Sequence, residues 1–262
     1  MGHVRFYLRS LGAHIRAVLE YQSDFWILVA AGIGTQTLGI VFLGAVFARV
    51  QTLNGWTFGE VVLIYALAGL AQSVVPVIAD GIWELGKSIH DGNLDYYLVR
   101  PYPPVLQVMS SQVGFNGVGD TVGAGILLGW ALFHVDVGWT VGKVLVGAIL
   151  LVSAIVIRVA ITVASNSVSF WVRSPFPMFA TAVYHVGELA RYPISIYGFA
   201  LKLVVVVVVP FAFAGFVPAS WLLDKGGYGW LGLLTPVVAV AWAFLAYRMF
   251  HHGLRRYESA GN

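Results

Sequence analysis

Cysteine is absent from the 262 residues of this chain. That single absence excludes disulfide frameworks, thiolate metal centres and cysteine nucleophiles, and it leaves the redox compartment open. Charge is scarce too: Asp, Glu, Lys and Arg supply 10% of the residues against 59% hydrophobic ones, and the mean hydropathy is +0.82. Too few charged side chains remain to coat a soluble domain of this size, so the composition predicts a membrane protein. The formal charge of +3 does not point to nucleic acid, because the basic residues are dispersed and follow the expected membrane edges, beside lipid headgroups.

What is present is a series of long apolar runs. A hydrocarbon core about 30 Å thick takes roughly 20 helical residues to cross. The runs predict six transmembrane helices, at 25–48, 60–79, 113–133, 142–164, 199–217 and 231–250, in one all-α membrane domain covering 1–262. Ahead of them Leu8, Leu11, Ile15, Val18 and Leu19 recur at helical spacing with Arg5, Arg9 and Arg16 opposite, which predicts an uncleaved amphipathic interfacial helix over 1–24. Residues 80–112 carry Asp80, Glu84, Lys87, Asp91, Asp95 and Arg100 and are too polar to cross. Residues 165–198, broken by Pro175, Pro177 and Pro193, read as interfacial structure. With the N-terminus inside, ten basic residues (Arg5, Arg9, Arg16, Lys87, Arg100, Arg173, Arg191, Arg248, Arg255, Arg256) face the cytoplasm against three outside (Arg49, Lys143, Lys225). Both termini and both polar segments are therefore expected in the cytoplasm.

One stretch imitates a nucleotide site: "GIWELGKS", 81–88, fits G-x-x-x-x-G-K-[ST] letter for letter. A working phosphate loop follows a strand and points its backbone N–H groups inward past small residues. Here a membrane span precedes, and Ile82, Trp83, Glu84 and Leu85 fill the variable positions with bulk and a carboxylate. The segment reads as a short helix, and this chain is expected to bind no cofactor. His251 and His252 are adjacent, about 100° apart on a helix, and His3, His14, His90, His134 and His185 are scattered, so no metal site is expected. No Ser, His and acid set suggests catalysis. Charges within the spans remain. Asp120 and Arg158 lie at equal depth, roughly 10 Å from the cytoplasmic side, and are candidates for an ion pair between spans three and four, while Lys202 snorkels. Gly119-x-x-x-Gly123 and Gly125-x-x-x-Gly129 predict close helix packing along span three.

The loop "DGNLDYYLVRPYPPVLQ", 91–107, resembles the permeases of type-two ABC exporters, in particular their six-span antibiotic-export-like group; "RYPISIYG" and "VPFAFAGFVPASWLL" resemble the same group around its fifth span. The resemblance implies a permease that is no enzyme itself. ATP and magnesium belong to separate ABC ATPase subunits, and a second permease, identical or homologous, completes the pathway. It implies a cytoplasmic coupling helix at about 81–100, between spans two and three, with Asp91, Gly92, Leu94, Asp95, Arg100 and Pro101 as coupling residues. It implies further that the N-terminal helix is a connecting element, and that about 210–230, with Pro210 and Pro218, re-enters the outer leaflet as an outward gate. A bacterial cytoplasmic (inner) membrane goes with it. Two other readings stay open: a proton- or ion-coupled secondary transporter using Asp120 and Arg158, and a membrane assembly factor that transports nothing.

Overall fold

The computed structural model describes residues 2–20, 22–172, 174–227 and 229–258. Among these there is no strand, only an isolated bridge between Leu53 and Trp56. Helix α1 (His3–Leu19) precedes α2 (Gln22–Phe47) and α3 (Phe58–Ala79). The reversal between α2 and α3 uses left-handed backbone at Asn54 and Gly55, φ 51° and 88°, and the Glu60 carboxylate accepts from the Thr57 N–H at 2.7 Å to open α3. A 3₁₀ turn (Asp80–Glu84) leads into α4 (Leu85–His90), α5 (Asp95–Leu98) and α6 (Pro104–Met109), which together mark the loop end of the molecule. Then come α7 (Asn116–His134), α8 (Val141–Ser167), α9 (Ser169–Val172) and α10 (Met178–Gly187), with 3₁₀ turns at Glu188–Arg191 and Ile194–Ile196. The remainder is α11 (Phe199–Leu203), a π turn (Val204–Val208), a 3₁₀ turn (Phe211–Ala214), α12 (Phe216–Leu222), α13 (Gly229–Gly232) and α14 (Thr235–Leu254).

Helix α3 is apolar on all sides, and a helix without a polar face is stable only when surrounded. Fourteen of its 22 residues are buried. Both α7 and α8 pack on it, α2 packs on α7, and α14 packs on α8. Where α2 meets α7 the two backbones touch: a Cβ at Gly119 would overlap the Val29 carbonyl, and one at Gly32 would sit 2.6 Å from the Asp120 nitrogen. Gly123 borders Gln36, whereas Gly125 and Gly129 face open space. One core gathers Val61 to Leu67 with Trp56, Phe211 and Phe216; a second, at the loop end, gathers Ile82, Leu85, Leu94, Phe170 and Phe250. Three helical stretches, Phe25–Phe47, Phe58–His90 and Val141–Val172, are by length and composition sufficient to cross a membrane.

The expected crossing at 199–217 is not a continuous helix. It is divided into α11, the π turn, a break at Pro210 and a 3₁₀ turn, because proline removes a backbone donor and stops the run. Residues 174–196 instead pass from the loop end to the opposite end. The Ser174 carbonyl lies against Gly86, the Tyr184 ring is 6.0 Å from Trp83, Arg191 reaches Tyr65 of α3, and the Ser195 carbonyl accepts from Asn54 Nδ2 at 2.8 Å. Residues 199–225 then dip into the bundle and return to the Asn54 end. Phe211 packs on Arg158, Gly215 adjoins Ile64 and Ala68, the Leu222 carbonyl accepts from Lys143 Nζ at 3.2 Å, and Lys225 pairs with Glu60 at 2.7 Å. The placement of 165–198 wholly in an interfacial layer is thereby corrected, and Arg191 lies inside the bundle. Arg173 lies outside the described residues.

Candidate functional site

At the loop end, each position of the 91–107 motif has a physical reason. Gly92 follows α4 at φ 72°, left-handed backbone that glycine takes without strain. Leu94 turns back into the core and is fully buried, and Asp95 opens α5. Buried Gln107, which sequence reading overlooked, ties the loop shut by donating to the Tyr97 and Tyr102 carbonyls, both at 2.8 Å. Asp91, Arg100 and Pro101 are exposed. So are Tyr96, Leu98 and Val99, the last at 83%, which gives the loop an apolar tip beside its charges. Tyr257 lies beside Asp95; burial first, then that carboxylate, hold its hydroxyl above the ordinary tyrosine range. The glycines of "GIWELGKS" serve packing. A Cβ at Gly81 would overlap the Val108 carbonyl, one at Gly86 would press on the Ser174 carbonyl at 2.8 Å, and Ile82 and Leu85 are core residues.

Helix α1 is moored beside this loop. The Tyr7 hydroxyl donates to the Ile78 carbonyl, Ser10 Oγ donates to the Ser110 carbonyl at 3.1 Å, and Phe6 stacks on Tyr102 at 3.9 Å. Burial lifts the Tyr7 hydroxyl to about 12, so it remains a neutral donor at any physiological pH.

Deeper in the bundle lies a polar cluster that only partly matches expectation. Arg158, 3% exposed, sets its guanidinium 4.6 Å from the Phe211 ring centroid and against Gly187, where a Cβ would overlap its Nη1. Arg191 Nε pairs with Glu188 Oε2 at 2.9 Å, and its Nη1 donates to the Tyr65 hydroxyl at 2.9 Å. Asp120 accepts from Gln36 Nε2 at 3.2 Å. The expected pairing of Asp120 with Arg158 is not formed. Helices α7 and α8 both pack on α3, so Asp120 turns to α2 and Arg158 turns to the 178–196 segment and the returning hairpin. Glu188 is the carboxylate whose charge acts on Arg158 and Arg191 together, and those of Arg191 and Glu188 act on Asp120. Pro210 and Pro218 are both buried in the hairpin, Pro210 immediately before the Arg158–Phe211 contact.

Sequence reading missed Glu188, Arg191 and Tyr65 as members of this cluster. A signal was available: Tyr184, Glu188 and Arg191 recur at i, i+4 and i+7 on a run that starts apolar at Met178. The same segment turns Thr181 and His185 outward, with Glu188 and Tyr184 half-exposed beside them. Such a row cannot rest against hydrocarbon without cost.

A family model described as ABC-2 family transporter protein matches residues 33–261, which include the loop, the 178–196 segment and the hairpin. A search of the curated proteins and another of the solved structures found no match. The chain belongs to the ABC-2 transporter family, as the membrane-spanning permease subunit of an ABC transporter.

Proposed function

We propose that two such permeases, identical or homologous, form the pathway of an ATP-driven exporter in the bacterial cytoplasmic membrane, with ATP and magnesium held by separate ABC ATPase subunits. The observation that carries this reading is the loop tip. Tyr96, Leu98 and Val99 present apolar surface to the exterior while Leu85 and Leu94 anchor the same loop in the core. A solvated loop has no need of such a tip, and a docking partner does. In this role Gly92 and Leu94 shape the element, and Asp91, Asp95, Arg100 and Pro101 frame it.

Charge supports the loop end as cytoplasmic even after correction. Arg5, Arg9, Arg16, Lys87, Arg100, Arg248, Arg255 and Arg256 gather there, eight against four (Arg49, Lys143, Lys202, Lys225) toward the other end. Six crossings follow, formed by α2, α3, α7, α8, residues 178–196 and α14, with both termini inside. The outward row of Thr181, His185 and Glu188 faces the shared pathway, and the hairpin carrying Pro210 and Pro218 closes it toward the outside. The family match favours this reading over both alternatives, a secondary transporter and an assembly factor.

Copurification from native membranes tests the coupling role. An ATP-hydrolysing subunit is expected to accompany the wild-type chain and to be lost from Val99→Asp, which places a carboxylate in the docking surface while leaving the core intact. Retention of the ATPase by Val99→Asp at wild-type yield would overturn the assignment of this loop.

A further inference from the structure

We propose that α1 and the 91–107 loop together hold the phosphate of an anionic lipid headgroup at the membrane surface of the loop end. Arg5 and Arg9 on α1 and Arg100 on the loop line one open hollow of about 340 Å³, whose other walls are Phe6, Ser10 and Tyr102. No carboxylate lines it. Among the described residues, none of the three guanidiniums takes part in an ion pair. Arg5 and Arg9 stand one helical turn apart on the same face. Arg100 is brought to them by contacts that involve no arginine, namely the Phe6–Tyr102 stack and the Ser10 hydrogen bond to Ser110. Three like charges converging on a prearranged hollow repel one another until an anion enters, and a phosphate offers the oxygens that guanidinium forks match.

The rest of α1 points to a lipid as the source of that phosphate. Val4 and Leu8, 71% and 62% exposed, stand one turn apart beside the arginines, and they line a second hollow that Arg5 and Arg9 also border. Apolar and basic rows side by side hold a helix in the plane of a membrane surface. Acyl chains then run along Val4 and Leu8 while the phosphate they carry reaches the three arginines. A free phosphate would make no use of the apolar row. The lipid ties α1 to the loop proposed to meet the ATPase. Its binding can be measured on the permease alone, so failure here and failure of the coupling role are separate results.

The purified chain in detergent micelles, supplied with equal amounts of phosphatidylglycerol and phosphatidylcholine, is analysed by native mass spectrometry for retained lipid. Wild type is expected to retain phosphatidylglycerol preferentially, and Arg9→Gln and Arg100→Gln each to cut that preference about fivefold, the effect of one arginine near an anionic surface. Arg256→Gln, at the same end of the molecule but lining neither hollow, is expected to change it little. Excess inorganic phosphate is expected to leave the lipid in place. An unchanged preference in both hollow variants, an equal loss in Arg256→Gln, or displacement of the lipid by inorganic phosphate would each overturn the proposal, the last in favour of a soluble phosphate.

Discussion

Glu188 serves two arginines. Its carboxylate touches Arg191 and lies within electrostatic reach of Arg158, so its neutralisation strands positive charge inside the bundle. Breaking a wholly buried pair costs about 3 to 5 kcal/mol. Glu188 keeps 36% of its side chain exposed, so Glu188→Gln is expected to lower the stability of the purified chain by less, roughly 2 kcal/mol, measured as a fall in the midpoint of thermal unfolding. Asp120 and Arg158 behave otherwise. Because Asp120 rests on Gln36 and Arg158 on Phe211, the losses in Asp120→Asn and Arg158→Gln are expected to add in the double variant. A double variant more stable than Arg158→Gln alone would show that the two residues meet.

Helix α7 shows how much of an element is legible in its sequence. The spacing of Gly119, Gly123, Gly125 and Gly129 announces close packing, but not which glycines pack. Only the first two face α2; the other two face open space. Gly119→Ala is therefore expected to destabilise by about 1 to 3 kcal/mol through overpacking against Val29, while Gly125→Ala is neutral or stabilising by up to about 1 kcal/mol, the usual gain of alanine over glycine in a helix. Thermal unfolding of the two variants side by side decides it, and equal losses would contradict the α2–α7 contact. Apolar run length was enough to read the helical positions of α2, α3, α7, α8 and α14, since each is long and unbroken. At 199–217 run length predicts one unbroken helix, whereas the chain is divided by a π turn and a break at Pro210, and it gives no sign of the helical segment that holds Glu188 and Arg191. Hydropathy scores those two as solvated ions, although in the bundle they form an ion pair and Arg191 donates to the Tyr65 hydroxyl. Likewise, equal depth suggested that Asp120 and Arg158 pair, but no linear reading reveals that α7 and α8 both pack on α3.

For the whole molecule, the course of the chain decides the function assigned to each part. Residues 174–196 pass from the loop end to the far end and the hairpin at 199–225 enters and leaves on one side, so in the proposed membrane placement the polar row at 181–188 lies at membrane depth, where a pathway can use it. The cysteine-free sequence makes this directly measurable in intact cells with a membrane-impermeant thiol reagent. Single cysteines at Thr140 and Gly227 serve as outside markers and one at Asn93 as an inside marker, and the decisive position is Ile196, 42% exposed at the end of the proposed fifth crossing. With 178–196 as a crossing, Ile196→Cys is expected to be labelled from outside together with Thr140→Cys and Gly227→Cys, while Asn93→Cys reacts only after the membrane is permeabilised. Labelling of Ile196→Cys only after permeabilisation, alongside Asn93→Cys, would contradict it.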